Sequence, residues 1–309
     1  MSIKTVFNLL KDSDKSKLKY AIADKICYCS WFRSVSDRLF LKLIFSLKTG
    51  YRLNLRTPRT FNEKLQWLKL NDRKKIYSTM VDKCEVKDYV AERIGSQYII
   101  PTLGVYNSLE EIKFETLPKQ FVMKCTHDSG SVIVCSDKSQ LDIANVKHVI
   151  NRGLKNDLYY FGREWPYKDL ERRIIVEKYL VDDSLGELRD YKFFCFDGTV
   201  QFYKVDFDRF ISHKANYYDI NGNLMPFGEV VCPPDYEKKI EKPHCLKKMI
   251  ELAQELSKGI PFLRVDFYEV NKQIYFGEMT FFPASGFGPF TEKEWDYKLG
   301  KLIKLDSNH

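Results

Sequence analysis

The segment FLRVDFYEVNKQIYFGEMTFF, residues 262–282, constrains the fold of this chain more than any other. Two runs of alternating apolar residues flank a short polar turn at Asn271 to Gln273, which predicts a β-hairpin. A three-residue turn would pair Val270 with Ile274. In that register one face of the hairpin is apolar and consists of Val265, Phe267, Met279 and Phe281. The other face consists of Arg264, Asp266, Glu278 and Thr280, with Asp266 opposite Glu278 and Arg264 opposite Thr280.

Two carboxylates directly opposite each other repel unless a cation neutralises them. Magnesium is a hard cation that binds a few carboxylate oxygens and keeps its other positions for water and phosphate oxygens. Asp266 and Glu278 are therefore candidate magnesium ligands, and Arg264 beside them suits an anionic oxygen or a developing negative charge. A surface network in which Arg264 simply pairs with the two acids explains the same residues.

Composition limits the classes of protein to which the hairpin can belong. With 309 residues, of which 44% are hydrophobic, the chain can bury the cores of two or three lobes. Its net charge of +8 fits an anionic ligand or surface and does not by itself indicate nucleic-acid binding. The eight cysteines show no CxxC spacing, which predicts reduced thiols in a cytoplasmic protein. The sequence predicts neither a signal peptide nor a membrane span.

Residues 37–56, DRLFLKLIFSLKTGYRLNLR, have an amphipathic helical pattern. The apolar positions are Phe40, Leu43, Ile44 and Leu47, and the basic residues around them are Lys42, Lys48, Arg52 and Arg56. We expect the apolar stripe to pack on the core of the chain. A helix on a membrane surface, or against an acidic partner, is the alternative.

The remaining pattern places helical and β-rich segments in blocks. Residues 1–50 have a helical pattern, and Thr60 and Glu63 have the spacing of a capping box at the start of a further helix. Other helices are expected at residues 81–94, 143–160 and 243–257. Strands are expected at 97–106, 121–126, 131–136 and 172–181, and β-rich segments at 191–206, 215–231 and 262–282. These blocks predict an α+β fold with mostly antiparallel strands in more than one sheet.

The polar turn THDSGS, residues 126–131, follows Lys124 at the end of a predicted strand. Gly130 permits a backbone conformation in which several N–H groups point at one anion. A plain hairpin turn, in which the serines and the glycine satisfy the backbone, explains the turn when it is considered alone.

The predicted strand at 172–181 contains Glu177, whose carboxylate could accept a hydrogen bond from an exocyclic amine. The backbone at Lys178 and Leu180 could then contact an adenine edge, and Asp183 or Glu187 could hold ribose hydroxyls. Taken singly, each of these residues is more often a solvated residue at the end of a strand.

The order of these pieces resembles the ATP-grasp superfamily. The pieces are a lysine, a second lysine before a glycine-containing loop, a strand ending in Glu-x-Tyr-Leu and an acidic hairpin. The segments TFNEKLQWLKLNDR, VDKCEVKDYVAERIGSQYIIPTLGVY, LPKQFVMKCTHDSGSVIV and RDYKFFCFDG are similar to its TupA-like branch, which is involved in cell-surface polysaccharide and teichuronopeptide synthesis. The resemblance covers residues 50–295 and implies an ATP-grasp fold, in which two α+β lobes clamp ATP.

The resemblance also implies a division of the chain. Residues 1–55 would be a helical N-terminal extension, and residues 56–120 an N-terminal lobe. Residues 121–180 would form the small ATP-grasp lobe with a loop that covers the phosphates, and residues 181–309 the C-terminal lobe with the metal site.

Nucleotide-binding roles follow from the same resemblance. Lys83 and Lys124 match the two lysines that hold the phosphates of ATP. The loop that covers the phosphates contains His127, Ser129, Gly130 and Ser131. The adenine hinge is matched by Glu177, Tyr179 and Leu180, with Asp183 near the ribose.

The metal and catalytic roles are implied in the same way. Asp266 and Glu278 match the ligands of Mg²⁺, and Arg264 matches the arginine that steadies the acyl-phosphate. Lys192 is a candidate phosphate or substrate contact, so Arg264, Lys124 and Lys192 are the expected catalytic residues. Many relatives have Glu-x-Asn where this chain has Glu278, Met279 and Thr280, so Thr280 is a candidate metal ligand weaker than an amide.

The implied function is an ATP- and Mg²⁺-dependent carboxylate-amine ligase that forms an amide through an acyl-phosphate. By analogy, its carboxylate would be a uronic acid or an amino-acid side chain, sugar-linked or free, and its product would decorate a cell-surface polysaccharide. A kinase or a glycosyl or phosphosugar transferase is one alternative, and a non-catalytic ATP-binding assembly protein is another. The expected location is cytoplasmic, with a possible peripheral contact to a membrane-bound assembly complex and no nucleic-acid partner.

The acceptor pocket has its own candidates. The segment KVDFDRFISHK contains Asp206, Asp208, Arg209 and His213, which would line the pocket or belong to a surface loop.

Overall fold

A computed structural model describes residues 15–182, 188–208 and 212–305 of the chain. The small sheet consists of β1 (Thr102–Tyr106), β2 (Phe121–Cys125), β3 (Val132–Cys135) and β4 (Ile174–Lys178), in the order β1-β4-β2-β3. The large sheet consists of β5 (Asp190–Phe196), β6 (Thr199–Phe207), β7 (Lys214–Asp219), β8 (Phe262–Val270) and β9 (Gln273–Thr280), in the order β7-β6-β5-β8-β9. All the strand pairs are antiparallel. The predicted α+β fold with two antiparallel sheets is confirmed.

The helices lie before, between and after the strands. The first five are α1 (Lys15–Tyr28), α2 (Asp37–Thr49), α3 (Phe61–Asn71), α4 (Ile76–Val81) and α5 (Glu85–Ile94). The others are α6 (Ile143–Lys155), α7 (Leu158–Gly162), α8 (Leu246–Ser257) and α9 (Lys293–Leu302). None of these helices has the length and apolar character that crossing a bilayer requires.

Side-chain caps explain where two of the helices begin. Thr60 and Glu63 form the predicted capping box at α3, in which the Thr60 hydroxyl accepts from the Glu63 N–H and the Glu63 carboxylate accepts from the Thr60 N–H, each at 3.1 Å. The predicted helix at 81–94 is wrong at its start, because Asp82 Oδ1 accepts from the N–H groups of Cys84 and Glu85 at 2.8 and 3.0 Å and begins α5 there.

Other boundaries also differ from the sequence-based expectation, and three segments show the larger differences. The predicted helix at 143–160 is two helices, α6 and α7. The strand expected from residue 97 begins at Thr102, because Pro101 precedes it and Ser96–Tyr98 forms a short 3-10 turn. The β-rich segment at 215–231 has one strand, β7, followed by turns.

The hairpin of β8 and β9 closes with a two-residue turn. Asn271 and Lys272 both have positive φ, 51° and 62°, as a type I′ turn requires. Val270 consequently pairs with Gln273, and the predicted pairing of Val270 with Ile274 is wrong.

A β-bulge restores the register at the polar end of this hairpin. The pairing shifts by one residue at Gly277, after which Asp266 pairs with Glu278 and Arg264 with Thr280, as predicted. A Cβ atom at Gly277 would lie 3.1 Å from the carbonyl oxygen of Asp266, so a glycine fits the close approach of the two strands there.

Three apolar clusters occupy the described residues. The largest joins apolar side chains from both faces of the large sheet to α3, α4, α5 and α8, and the second fills the space between the small sheet and α6. The third joins α1 and α2 to Phe287, in the loop after β9. The small sheet includes β1, which lies before residue 121, so it takes strands from both sides of the predicted boundary at 120, and the division of the chain into four segments stays a prediction.

Candidate active site

Arg264 holds the two acids of the hairpin together. Its Nε and Nη2 donate to Asp266 Oδ1 and Oδ2, each at 2.7 Å, and Nη2 also donates to Glu278 Oε1 at 2.7 Å. Asp266 is 1% exposed, whereas the Glu278 side chain is 48% exposed. Bidentate arginine–carboxylate pairs are among the strong hydrogen bonds, so Arg264 offsets part of the negative charge of the two acids, and Lys192, 3.2 Å from Asp266 Oδ2, offsets part as well.

The same charges set the protonation of the two acids. Burial raises the pKa of Asp266 to about 6, although Arg264 and Lys192 act against the shift. Burial also acts to raise the pKa of Glu278, but Arg264, Lys192 and Lys83 outweigh it and lower this pKa to about 2. Both groups are therefore mainly ionised at neutral pH, which is the form that binds a hard cation.

Thr280, the third predicted metal ligand, lies at the end of β9. Its hydroxyl donates to Glu278 Oε1 at 3.3 Å, so all three predicted metal-binding side chains lie together. Two carboxylates and a hydroxyl are hard oxygen donors, and this donor set fits Mg²⁺.

Lys192 lies beside this pair on β5. Its ammonium donates to Asp190 and Asp266 and lies 3.2 Å from both Asp206 Oδ2 and Asp266 Oδ2. Burial acts to lower the pKa of Lys192, but Asp190 and Asp266 outweigh it and raise the pKa. The lysine is therefore a fixed positive charge on the polar face of the large sheet.

The row of charges continues away from the hairpin. Lys204 on β6 pairs with Glu229 at 2.9 Å, and both side chains are buried. Asp206 Oδ1 lies 3.3 Å from His213 Nε2, so these two predicted acceptor residues adjoin the row. Asp208 instead pairs with Lys238 at 3.3 Å, and Arg209 lies outside the described residues.

The small sheet presents a second group of charges. Glu177 Oε2 lies 2.7 Å from Lys124 Nζ, and Glu177 Oε1 lies 2.5 Å from Lys87 Nζ. Lys124 is paired in the sheet with Val132, and Glu177 with Val122, so these residues share one face. The opposite face of the sheet packs on α6.

Apolar side chains surround these charges. Val132, Val134, Leu103 and Val105 are 40%, 57%, 40% and 39% exposed and lie on strands β3 and β1. Exposed apolar surface around a few polar groups is typical of a ligand groove.

A small cavity lies between the small-sheet charges and strand β9 of the large sheet. It is lined on one side by Lys83, Lys87, Lys124 and Glu177, and on the other by Phe276 and Gly277 of β9. Gly277 directly precedes Glu278, so the cleft brings the small-sheet charges toward the predicted metal ligands.

Lys83 connects the cleft to the loop at 126–131. Its N–H donates to the Thr126 carbonyl at 3.1 Å, and its ammonium donates to the Asp128 carbonyl. Burial lowers the pKa of Lys83, although Glu278 and Asp128 act to raise it. The lysine therefore lies between the predicted phosphate-covering loop and the predicted metal site.

The loop itself divides into buried and exposed parts. His127 is 4% exposed, and burial lowers its pKa, so the imidazole is neutral at neutral pH. Ser131 is also buried and donates to Asp128 Oδ2 at 2.5 Å. Ser129 and Gly130 are exposed, and Gly130 has a φ of +94°, which favours glycine.

The predicted adenine hinge follows β4. The Lys178 N–H donates to the Pro101 carbonyl at 2.9 Å, so this N–H is already bonded within the protein. Tyr179 and Leu180 are half-buried. Asp183 and Glu187 lie outside the described residues.

Sequence reasoning missed four charged residues of this region: Lys87, Asp190, Lys204 and Glu229. Lys87 lies four residues after Lys83, the spacing of one helical turn, and Asp190 lies two residues before Lys192, the spacing of one face of a strand. These two spacings could have indicated Lys87 and Asp190 from the sequence. The Lys204–Glu229 pair joins residues 25 positions apart, for which the sequence offers no comparable signal.

The Glu177 ion pairs predict a pH dependence of stability. Burial acts to raise the pKa of Glu177, but Lys124 and Lys87 outweigh it and lower the pKa from its ordinary 4.5. Because the folded pKa is the lower one, the stabilisation is complete above pH 4.5 and is lost as the pH falls through the folded pKa. We expect Glu177→Gln to lower the free energy of unfolding by about 2 kcal/mol at neutral pH, and by progressively less below pH 4.5. Chemical denaturation over this pH range measures the difference, and a pH-independent difference would contradict the assignment.

A four-stranded and a five-stranded antiparallel sheet, each with a group of charged side chains, define the class of protein: an α+β fold of the ATP-grasp type. Residues 63–304 match the family model described as TupA-like ATPgrasp. The chain therefore belongs to the TupA-like ATP-grasp family, whose fold is typical of ATP-dependent ligases.

Solved structures resemble the chain more distantly. D-alanine–D-alanine ligase from Bacillus anthracis is 16% identical with a TM-score of 0.36, and the match covers 72% of this chain and 59% of that enzyme. The corresponding ligase from Helicobacter pylori is 11% identical with a TM-score of 0.42, covering 79% and 69%. The ATP-grasp ligase PsnB, solved with a minimal precursor, is 10% identical with a TM-score of 0.40, covering 84% and 66%. Similarities of this size carry no argument about substrates, and no curated protein matches the chain.

Proposed function

We propose that this protein is an ATP-dependent ligase that joins a carboxylate to an amine through an acyl-phosphate. The observation that supports this most is the Asp266–Arg264–Glu278 cluster, which lies beside a cleft whose other wall carries Lys83, Lys124 and Glu177. ATP would lie in this cleft, with its phosphates near Lys83 and Lys124 under the loop at 126–131, and its adenine near Tyr179 and Leu180.

Asp266 and Glu278 would hold Mg²⁺, with Thr280 as a further oxygen ligand. A bound Mg²⁺ neutralises charge on the phosphates during phosphoryl transfer. Arg264 and Lys192 are fixed cations next to these acids, so they would face the reacting carboxylate and stabilise the negative charge that develops on it.

The proposed reaction has two steps. A carboxylate oxygen of the substrate bonds to the γ-phosphorus of ATP while the bond to the ADP oxygen breaks, which gives an acyl-phosphate. The amine nitrogen then bonds to the carbonyl carbon, and the carbon–oxygen bond to phosphate breaks. The products are an amide, ADP, phosphate and the proton that the amine loses.

The substrates we propose follow the family. The carboxylate would be a uronic acid or an amino acid and the product part of a cell-surface polysaccharide, made on the cytoplasmic side, where ATP is supplied. Asp206, which lies 3.2 Å from Lys192, and His213, which lies 3.3 Å from Asp206, would lie at the acceptor pocket.

An isotope experiment tests the chemistry. The protein is incubated with Mg²⁺, ATP and pairs of ¹⁸O-carboxylate-labelled hexuronic or amino acids with amines, and the products are identified by mass spectrometry. We expect ADP release to require both substrates, and one ¹⁸O atom to appear in the released phosphate, because the acyl-phosphate transfers that oxygen. A phosphorylated or glycosylated product without an amide would show a kinase or transferase, and tight ATP binding without turnover would favour a non-catalytic assembly protein.

A further inference from the structure

The N-terminal helical hairpin concentrates the positive charge of the protein. Residues 15–50 contain eight lysines and arginines and two aspartates, a net charge of +6, while the whole chain has +8. Both aspartates are already paired, Asp24 with Lys48 at 2.7 Å and Asp37 with Arg73 at 2.8 Å. The basic side chains that face solvent here are Lys19, Lys25, Arg33, Arg38 and Lys42.

The same hairpin exposes large apolar side chains. Trp31, Tyr28 and Leu39 are 88%, 77% and 62% exposed, which makes them the most exposed large apolar residues in the described chain. Trp31 lies in the 3-10 turn Ser30–Ser34, none of whose residues is buried. Helix α2, which carries Leu39, begins three residues after that turn.

Helix α2 has apolar side chains on both of its faces. Its buried stripe consists of Phe40, Leu41, Ile44 and Phe45. Leu39 and Leu43 are one helical turn apart on the outward side, with Lys42 beside them, and Leu43 is 40% exposed. The expectation that the apolar stripe packs on the core therefore holds for Phe40 and Ile44 and fails for Leu43. We name the exposed side chains of this hairpin, Tyr28, Trp31, Leu39, Leu43, Arg38 and Lys42, the basic apolar face.

We propose that the basic apolar face docks the protein on an anionic lipid bilayer. Tryptophan and tyrosine favour the boundary between headgroups and acyl chains, and leucines on one side of a surface helix enter that boundary. Lysine and arginine beside them are attracted to anionic headgroups. An acidic protein could satisfy the cations, but the bilayer also buries protruding aromatic and aliphatic side chains, so charge and shape together favour the lipid surface.

Vesicle sedimentation tests this proposal with the full-length protein. The probes are vesicles of phosphatidylcholine alone and of phosphatidylcholine mixed with phosphatidylglycerol. We expect binding to the mixed vesicles and little to the neutral ones. Arg38→Gln combined with Lys42→Gln should weaken binding about 30-fold, since each cation near the surface contributes about 1 kcal/mol. Leu39→Ser combined with Leu43→Ser should weaken it about tenfold.

A matched control is available on α9, where Tyr297, Lys298 and Lys301 are also exposed. Lys298→Gln combined with Lys301→Gln removes the same net charge, and Tyr297→Ser removes an exposed aromatic ring, so these variants should bind as the wild type does. Circular dichroism checks that every variant is folded. The proposal is overturned if the wild type ignores anionic vesicles, if the α9 variants weaken binding equally, or if the leucine variants instead dissociate a dimer in light scattering, which would make the face an interface between copies.

Discussion

Asp266→Asn and Glu278→Gln are each expected to lower kcat for Mg²⁺-dependent ATP turnover by about 10²- to 10³-fold, the range found when one preorganised electrostatic group is removed from an active site. Asp266 is buried and bound by both Arg264 and Lys192, so its carboxylate has a fixed position from which it can hold a cation. The amide variants keep the shape of the side chain and remove the charge. The measurement is steady-state ADP release as a function of Mg²⁺ concentration, with both substrates present.

The Mg²⁺ dependence separates this effect from a general loss of activity. If the two acids hold the metal, the variants need more Mg²⁺ for half-maximal turnover, and the loss is partly recovered at high Mg²⁺. Glu251→Gln is a matched control, because Glu251 is an exposed carboxylate on α8 that pairs with a lysine at 3.3 Å. Turnover within twofold of wild type in either site variant would refute the assignment of these acids.

Arg264→Met is expected to lower the free energy of unfolding by about 3 kcal/mol, because it leaves the buried Asp266 carboxylate without its bidentate partner. Lys192 stays 3.2 Å from Asp266 and limits the loss. Added Mg²⁺ should restore part of the lost stability, since the metal would offset the negative charge of the two acids that lose their arginine. Urea denaturation of wild type and variant, with and without Mg²⁺, measures both effects.

A double-mutant cycle gives the control for this second prediction. In Arg264→Met combined with Asp266→Asn the buried charge is also gone, so the double variant should be more stable than the single Arg264→Met variant and should gain little from Mg²⁺. If Arg264→Met lowers the free energy of unfolding by less than about 1 kcal/mol, the ion pair contributes no more than an ordinary surface ion pair does. That result would favour the surface-network interpretation of these residues.

The hairpin shows how much of the site the sequence could predict. Alternation of apolar and polar residues correctly assigned Arg264, Asp266, Glu278 and Thr280 to one face. The predicted register around the turn was wrong, yet the pairing of Asp266 with Glu278 was right, because the two-residue turn and the bulge at Gly277 shift the register in opposite directions. A turn length and a bulge depend on backbone packing that alternation does not encode.

The interactions between distant segments were beyond the sequence pattern. The Glu177 carboxylate was predicted to accept a hydrogen bond from an amine of the ligand. In the structure it lies between Lys124, on the neighbouring strand β2, and Lys87, on α5. Its ligand role stays a prediction. The capping box at Thr60 was predictable because its partners are three residues apart. The break between α4 and α5 was harder to predict, because the Asp82 side chain caps a helix within residues 76–94, where the sequence pattern is helical without interruption.

We infer that the small-sheet charges and the hairpin acids form a single site for ATP and Mg²⁺. Calorimetric titration of the protein with ATP, in the presence and absence of Mg²⁺, tests it most directly, with Asp266→Asn and Lys124→Met measured in parallel. We expect Mg²⁺ to tighten ATP binding to the wild type, Asp266→Asn to remove the gain from Mg²⁺, and Lys124→Met to weaken binding under both conditions. Equal affinity of the wild type with and without Mg²⁺, or unchanged binding in Lys124→Met, would contradict it.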